Sequence, residues 1–228
     1  MRKDNLKRFN DFSQVDISSG YYLVYKPLIR DIIYAINNYS KGKVLDVGCG
    51  NKPYLSLFDN KSTQYIGCDI IQSSNNSVDL VCPATNIPLK DNSFDTIFCT
   101  QVIEHVEDHD KILSEIYRLL KPNGHVILSG PLYWHLHEEP YDFFRFTKYG
   151  FKYIFEKQNF EIKETLANGG KWATFGQMVI HTFPNFLVKR RLFRKLNNKL
   201  FSYLDKKYYN EYNTMNYVIV AKKNKVEA

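Results

Sequence analysis

The feature that most constrains the fold of this chain is the alternation of short apolar stretches with stretches of helical periodicity. Seven stretches have the length and composition of strands: residues 43–48, 64–70, 77–82, 94–100, 125–130, 160–166 and 216–223. Helices are predicted at residues 21–39, 111–120 and 148–158. Strands that alternate with helices pair mostly in parallel. We therefore predict an α/β fold with a seven-stranded, mostly parallel sheet covered by helices on both faces.

The length of 228 residues suits one domain with an additional helical segment. We predict an N-terminal extension, a core, a basic helical insert before the last strand, and the last core strand with its tail, at residues 1–20, 21–166, 167–215 and 216–228. No apolar stretch reaches the length of about 18 residues that a spanning helix needs, and the basic start lacks the apolar run of a secretory signal. The four cysteines lie in or beside apolar runs without zinc-like spacing, so we expect reduced thiols in a cytoplasmic protein.

The positive charge of the chain is concentrated in the insert. The whole chain has a net charge of +7, and residues 184–208 contain eight basic residues and one acid. Residues 186–204 are predicted to form one amphipathic helix with the apolar positions Phe193, Leu196, Leu200 and Leu204. Such a helix can cover the substrate site with its basic face in solvent, lie on an anionic membrane at the inner membrane surface, or form a dimer. Nucleic acid is the weaker prediction, because no nucleic-acid-binding module accompanies the charge. The oligomeric state stays open.

Two glycines follow the first predicted strand in the sequence VLDVGCG, residues 44–50. Gly48 and Gly50 lack the side chains that hinder a sharp turn or the close approach of a ligand. The third glycine of a dinucleotide loop is replaced by Pro53, and the lysine motif of a P-loop is absent. Asp69 ends the next strand, where an acid can accept both hydroxyls of a ribose. The loop alone is consistent with a structural turn or with a ligand site.

Further motifs follow this loop in a fixed order. The ordered set is Asp46-x-Gly48-x-Gly50, Asp69, Asp91-x-Ser93-Phe94-Asp95, Glu104-His105-Val106 and Leu120-Lys121-Pro122-x-Gly124. With this set the chain resembles class I S-adenosylmethionine-dependent methyltransferases of type 11 over residues 20–166 and the last strand. The resemblance implies a Rossmann-like fold, S-adenosylmethionine as the cofactor and S-adenosylhomocysteine as its product.

The resemblance also implies which residues surround the cofactor. They are Asp46, Gly48, Cys49, Gly50, Asp69, Ile70, Ala84, Thr85 and Gln101. By that resemblance, Asp46 and the glycine loop hold the methionine part, Asp69 holds the ribose, and Gln101 lies beside the methionine part. The segment around Ala84 covers the adenine. Many relatives carry an acid just before this position, whereas this chain has Pro83, so backbone groups or another side chain must recognise the adenine.

Glu104 and His105 raise the question of a metal. Some quinone-precursor O-methyltransferases resemble this stretch and bind a divalent ion with Glu-x-x-Glu-His. The first acid of that set is Gln101 here, and the loss of an anionic ligand weakens a magnesium site. We therefore expect no metal, and interpret Glu104 and His105 as residues that orient the loop.

The stretch PLYWHLHEEPYDFFRFT, residues 131–147, follows the fifth predicted strand, at the rim where a transferred methyl group points. A hydroxyl acceptor must lose its proton, and a histidine is suited to take it. His137 is the first candidate for this base and His135 the second, and Glu138, Glu139 or Asp142 can orient the imidazole. Arg145 can bind an anionic substrate group or pair with Asp142. Flat faces for an acceptor ring are offered by Tyr133, Trp134 and Tyr141. The alternative is that the stretch only packs a loop.

The same stretch narrows the resemblance. The motif H-x-x-P-Y-D-F-x-R-F-T from His137 to Thr147, with G-G-x-W-A from Gly169 to Ala173, is similar to methyltransferases found among bacterial surface-polysaccharide enzymes. In that group the acceptor is commonly a sugar hydroxyl. The leading hypothesis is therefore O-methylation of a saccharide in a glycan, a nucleotide sugar or a lipid-linked saccharide. The alternatives are methylation of a small aromatic or quinone-like molecule or of nucleic acid, and a non-catalytic binding module with the same fold.

Overall fold

A computed structural model describes residues 15–224 of the chain and contains one seven-stranded sheet. The strands are β1 (Gly42–Val47), β2 (Ser62–Asp69), β3 (Leu80–Val81), β4 (Phe94–Thr100), β5 (Leu120–Pro131), β6 (Phe160–Asn168) and β7 (Asn216–Lys223). Their order across the sheet is β3-β2-β1-β4-β5-β7-β6. Strand β7 is antiparallel to β5 and β6, and the other neighbours are parallel. The predicted fold class is confirmed.

The helices are α1 (Tyr22–Tyr39), α2 (His109–Leu119), α3 (Lys148–Lys157), α4 (Lys171–Thr182), α5 (Asn185–Val188) and α6 (Arg191–Lys207). Three further 3₁₀ turns lie at Leu55–Phe58, Ile103–His105 and Glu211–Asn213. Helix α2 begins at an acidic cap, because the Asp108 carboxylate accepts the Lys111 backbone N–H at 2.9 Å. Within residues 15–224, no helix has both the length and the apolar character to cross a membrane.

Helices cover both faces of the sheet, as predicted. Helix α1 packs on one face, where its buried side chains contact alternate residues of the central strands: Leu28, Ile32 and Ile36 with Val44, Phe98 and Val220. Helices α2 and α3 pack on the other face, where Ile112, Ile116, Phe151 and Phe155 lie with Leu45, Ile97 and Val126. Because successive residues of a strand point to opposite faces, the same strands supply both cores. The carboxyl edge of the parallel strands is left open between the layers.

Two predicted strands differ from the strands in the structure by three or more residues at one end, and the others differ by at most two. The predicted strand 77–82 is reduced to β3, because the Gln72 side chain takes the backbone N–H and carbonyl of Val78 at 3.0 Å each. Strand β5 begins at Leu120, although the proline and glycine of residues 121–124 were predicted to separate helix from strand. A register shift beside Phe94 and the left-handed backbone of Asn123 (φ 63°) let the strand continue through this segment.

The prediction of one amphipathic helix over residues 186–204 is wrong. The chain forms the short helix α5 and then α6, separated by Lys189 and by Arg190, whose backbone is extended. The Arg194 guanidinium donates to the Val188 carbonyl at 2.7 Å, which satisfies the end of α5 without a continuous helix. The predicted extension 1–20 falls partly outside the described residues, and residues 16–19 form turns that contact α6.

Candidate active site

A cleft of about 780 Å³ lies at the carboxyl ends of β1, β2 and β4. The predicted cofactor residues that line it are Asp46, Gly48, Cys49, Gly50, Asp69, Ile70, Ala84 and Gln101. Thr85 was also predicted to belong to the site, but it is not part of the cleft wall. The Asn86 N–H donates to the Pro83 carbonyl at 3.1 Å, and this tight turn leaves Thr85 outside the wall.

The glycine loop is held on the end of β2. The backbone N–H groups of Gly48 and Cys49 both donate to the Cys68 carbonyl, at 2.8 Å and 3.0 Å. Gly48 has φ +74°, and a Cβ atom there would lie 2.3 Å from Cγ2 of Val102. Any other residue would be strained at this position, because its backbone is left-handed and its Cβ atom would displace the Val102 side chain.

Two buried carboxylates flank the loop. Asp46 accepts a hydrogen bond from the Tyr65 hydroxyl, and burial raises the pKa of Asp46 to about 7. Asp69 accepts the Gly50 N–H at 3.0 Å and stands at the end of β2. Because its carboxylate faces the cleft beside the loop, Asp69 can accept hydroxyl groups of a bound ribose.

The cleft fits S-adenosylmethionine in size and chemistry. Its volume lies in the range of about 300–1,000 Å³ that is typical of small-molecule sites. Beyond Asp69 the wall is mostly apolar, and Ile70, Ile71, Cys82 and Ala84 can cover a flat ring. The part of the cleft assigned to the adenine therefore has an apolar wall, and it lacks the acid that many relatives carry at the position of Pro83. At the other end, Gln101 has φ 54° and donates from Nε2 to Ser129 Oγ at 3.0 Å.

The rim stretch contains the predicted arrangement around Asp142. The Nδ1 atom of His137 lies 3.2 Å from Oδ2 of Asp142, and Arg145 binds both carboxylate oxygens of Asp142 at 2.7 Å each. Burial disfavours the charged carboxylate, but the hydrogen bonds from Arg145 and from the His137 backbone hold the pKa of Asp142 well below its ordinary value. Asp142 therefore pairs with Arg145 and accepts the backbone N–H of His137 at 3.0 Å, but it makes no hydrogen bond with Nδ1 of the His137 ring.

Arg145 also ties the rim together. Its guanidinium donates to the carbonyls of Trp134 and His135 at 3.3 Å and 3.0 Å. These hydrogen bonds and the ion pair with Asp142 occupy the N–H groups of the guanidinium and hold the loop in its conformation. This arrangement favours a positioning role for Arg145 over the binding of an anionic substrate group.

The other predicted rim residues differ in their distance from the cleft. Tyr141 lines the cleft, whereas Tyr133, Trp134, His135 and His137 do not. His137 is nevertheless close to it, because its ring centroid lies 4.7 Å from that of His105, which forms part of the wall.

His135 lies farther out. Its ring is 4.4 Å from that of His181 in α4 and 4.8 Å from that of Trp134. Burial lowers the pKa of His135, and it lowers the pKa of His181 to about 4. His135 is therefore part of the contact between the rim and α4.

His105 and Glu138 also line the cleft. His105 was predicted only to orient a loop, and Glu138 only as one of three acids that could orient an imidazole. The Nδ1 atom of His105 lies 2.6 Å from the Tyr141 carbonyl, which fixes its ring against the rim. Glu104 was interpreted as a residue that orients a loop, and its backbone carbonyl accepts the Phe143 N–H of the rim at 2.9 Å. The signal for His105 was its place just after β4, since ligand sites lie beyond the carboxyl ends of parallel strands.

Glu104, His105 and His137 form a group with the spacing of metal ligands. In the part of the chain that the structure describes, this is the one set of three such residues, and its ligand atoms lie within 4.8 Å of one another. These residues could hold a divalent cation. Glu104 is fully buried, and burial raises its pKa to about 8. A cation would therefore have to displace a proton from Glu104 at neutral pH, which lowers its affinity.

Comparisons with known proteins agree with this geometry. Residues 45–128 match a family model described as a methyltransferase domain. An uncharacterized protein of Methanocaldococcus jannaschii is 35% identical over 88 residues, which cover 37% of this chain and 39% of that protein. A ubiquinone biosynthesis O-methyltransferase of Rickettsia typhi is 25% identical over 113 residues, which cover 45% of this chain and 46% of that enzyme. The matched part thus spans less than half the length of either relative.

Solved structures show the same fold. A phosphoethanolamine N-methyltransferase of Haemonchus contortus, solved in complex with S-adenosylmethionine, has a TM-score of 0.56 and 20% identity, and the match covers 89% of this chain and 53% of that one. The domain match and the fold together support a class I methyltransferase with the Rossmann-like architecture. The cofactor of this family is S-adenosylmethionine, and the family implies no metal.

Proposed function

We propose that this protein transfers the methyl group of S-adenosylmethionine to an oxygen acceptor, and that the acceptor is a sugar hydroxyl of a glycan, a nucleotide sugar or a lipid-linked saccharide. The observation that carries the proposal is the pairing of a cofactor-sized cleft with a histidine and aspartate pair at its rim. The methyltransferase domain match over residues 45–128 supports the first half.

The cofactor would be held by residues of the cleft wall. Asp69 would accept ribose hydroxyls, the backbone around Gly48 would lie against the methionine part with Asp46 and Gln101 beside it, and Ala84 would contact the adenine. When bound, S-adenosylmethionine supplies a methyl group made electrophilic by the adjacent positive sulfur. The protein then has to hold an acceptor close to that group and remove its proton.

His137 is the proposed base. The Asp142 carboxylate lies 3.2 Å from Nδ1 of the imidazole, and in this proposal Nδ1 turns to donate to it when the acceptor binds, while Nε2 takes the hydroxyl proton. The Asp142 carboxylate stabilises the imidazolium that forms, and Arg145 keeps that carboxylate charged. His105, in the cleft wall 4.7 Å from His137 between ring centroids, would orient the acceptor. No step requires a metal.

The preference for a saccharide is supported by the surface beside this pair. Tyr133 and Tyr141 are each 40% exposed at the rim, so their rings are accessible to a sugar face. The acid Glu138 lies in the cleft wall next to them and can accept hydrogen bonds from sugar hydroxyls. The similarity of residues 137–147 to polysaccharide-associated methyltransferases points to the same acceptor class.

The experiment is a pair of variants assayed with labelled S-adenosylmethionine against nucleotide sugars and glycan extracts. His137→Ala should leave cofactor affinity by calorimetry nearly unchanged and lower turnover by about 10² to 10⁴ fold, the usual contribution of such a base. His135→Ala removes a histidine of the same rim stretch and is the matched control, with a much smaller loss expected. Turnover that survives in His137→Ala with normal melting behaviour would contradict the assignment of the base.

A second candidate is methylation of a small aromatic or quinone-like molecule. It is favoured by the relative from Rickettsia typhi, a ubiquinone biosynthesis O-methyltransferase. Assays with catechols and hydroquinones under the same conditions separate the two, since label in an aromatic product and none in saccharides would replace the first candidate. Failure to bind S-adenosylmethionine at all would instead favour a non-catalytic module.

A further inference from the structure

Helix α6 exposes a row of apolar side chains to solvent. Leu192, Leu196, Leu200 and Tyr203 are 67%, 59%, 53% and 59% exposed. With 3.6 residues per turn these four positions lie on one face, here called the leucine stripe. Single exposed leucines are common on protein surfaces, but a contiguous row marks an interaction surface.

The orientation of α6 is fixed by its opposite face. Asn198 is fully buried and donates to the carbonyls of Ile17 and Ser19 at 2.7 Å and 2.8 Å. Phe201 packs against Gly176 of α4 so closely that a Cβ atom at that glycine would lie 2.5 Å from the ring. The helix therefore cannot rotate its leucines inward without breaking these contacts, and the stripe stays in solvent.

Basic side chains surround the stripe. The exposed cations of this segment are Lys189, Arg190, Arg191, Lys195, Lys199, Lys206 and Lys207. Lys195 and Lys199 each follow a stripe leucine by three residues, so they flank the row directly. The one acid of the segment, Asp205, accepts the backbone N–H of Gly170 at 2.9 Å and so belongs to the start of α4.

We propose that the leucine stripe and its flanking lysines dock this protein on the surface of an anionic phospholipid bilayer. Such a surface is apolar below its headgroups and negatively charged at them. It therefore complements both the leucine stripe and the lysines that flank it. A second copy of the chain would place two basic faces against each other. A nucleic acid would satisfy the lysines but would leave the leucines without an apolar partner.

The place of α6 in the fold gives the docking a consequence. Helix α6 packs on α4, and His181 of α4 contacts the ring of His135 at the rim. A docked stripe therefore places α6 between the membrane and α4, the helix that contacts the rim. Resting on the proposed function, this places the acceptor site where a lipid-linked saccharide is presented.

The test is flotation of the full chain with vesicles of phosphatidylglycerol and phosphatidylcholine, compared with phosphatidylcholine alone. The wild type should float with the anionic vesicles, and the double variant L196Q/L200Q should bind at least about tenfold more weakly. The pair Lys195→Gln and Lys199→Gln should weaken binding and reduce its salt dependence. The matched control is Y149Q/Y153Q, which removes two exposed rings from α3 and should bind like the wild type.

Three outcomes would overturn the proposal. The first is a wild-type protein that does not bind anionic vesicles. The second is a concentration-dependent dimer in sedimentation experiments that L196Q/L200Q abolishes, which assigns the stripe to a second copy. The third is tight binding to RNA that L196Q/L200Q leaves intact while vesicle binding is absent. Because the stripe is exposed, L196Q/L200Q should melt like the wild type, and vesicle binding is independent of methyl transfer, so failure here leaves the proposed function standing.

Discussion

In the cofactor cleft most of the residues that motif and strand position predict do line the wall, whereas in α6 two leucines of the predicted apolar face are exposed and two asparagines are buried. Asp46, Gly48 and Asp69 lie where the ends of parallel strands must bring them. In α6, Asn197 and Asn198 are buried, whereas Leu192, Leu196 and Leu200 are exposed. A strand end is positioned by the sheet itself, but a helix that packs on the outside of a fold is oriented by whichever of its faces finds partners.

The largest effect on cofactor binding is expected at the glycine loop. Gly48→Ala should cost about 1–2 kcal/mol of stability for a left-handed alanine, and the contact with Val102 should displace the loop. We expect S-adenosylmethionine affinity to fall at least about tenfold, because loop and cofactor must meet closely. Calorimetry measures the affinity and a urea titration the stability.

Gly150→Ala in α3 is the matched control, because a Cβ atom there meets only Thr147 Oγ1 at 3.4 Å. It should keep cofactor affinity and raise stability by roughly 0.5–1 kcal/mol. If Gly48→Ala binds the cofactor as tightly as Gly150→Ala does, the glycine loop does not contact the cofactor closely.

The next effect concerns Glu104 and depends on pH. Its pKa in the folded state is about 8, above that of the unfolded chain, so the unfolded state loses its proton first as the pH rises. The stability from the neutral carboxyl is complete below about pH 4 and is lost as the pH rises through about 8. Glu104→Gln should therefore match the wild type at low pH and exceed it increasingly towards pH 8, by up to about 1.4 kcal/mol per pH unit.

Urea denaturation across this pH range measures the difference between the two proteins. Glu107→Gln changes an exposed residue nearby and should stay within about 0.5 kcal/mol of wild type throughout. A constant difference for Glu104→Gln across the range would show that Glu104 is charged in the folded protein, and would make a cation held with His105 and His137 the better account of this group.

The last test compares a buried asparagine of α6 with an exposed leucine of the same helix. Asn198→Leu leaves two partly buried carbonyls without their donor and should cost about 1–3 kcal/mol, although it makes the buried position apolar. Leu200→Asn introduces the opposite change at an exposed position and should alter stability by no more than about 0.5 kcal/mol. Thermal melting of both variants measures the two changes in stability. If Leu200→Asn destabilises more than Asn198→Leu, the leucine face is the packed one.

Some residues of the candidate site could be predicted from the sequence and others could not, for physical reasons. The glycine loop and Asp69 could be found because both follow strands directly, and parallel strands end at one edge. His105 follows β4 in the same way and could have been found by the same rule. Thr85 was misplaced because a single turn decides whether a residue faces the cleft. The approach of His137 to His105 depends on how the rim loop folds back, which Arg145 fixes through carbonyls that no sequence pattern reveals.

The sequence by itself determined the seven-stranded α/β sheet, the glycine loop, the acids at the strand ends and the concentration of positive charge in residues 184–208. These follow from local rules of periodicity, turn chemistry and charge. Only the tertiary structure decided that α5 and α6 are separate and that Asn198 rather than Leu200 is buried. The reason is that hydrogen bonds to the distant carbonyls of Ile17 and Ser19 outweigh the preference of leucine for the interior, and such partners exist only once the chain has folded.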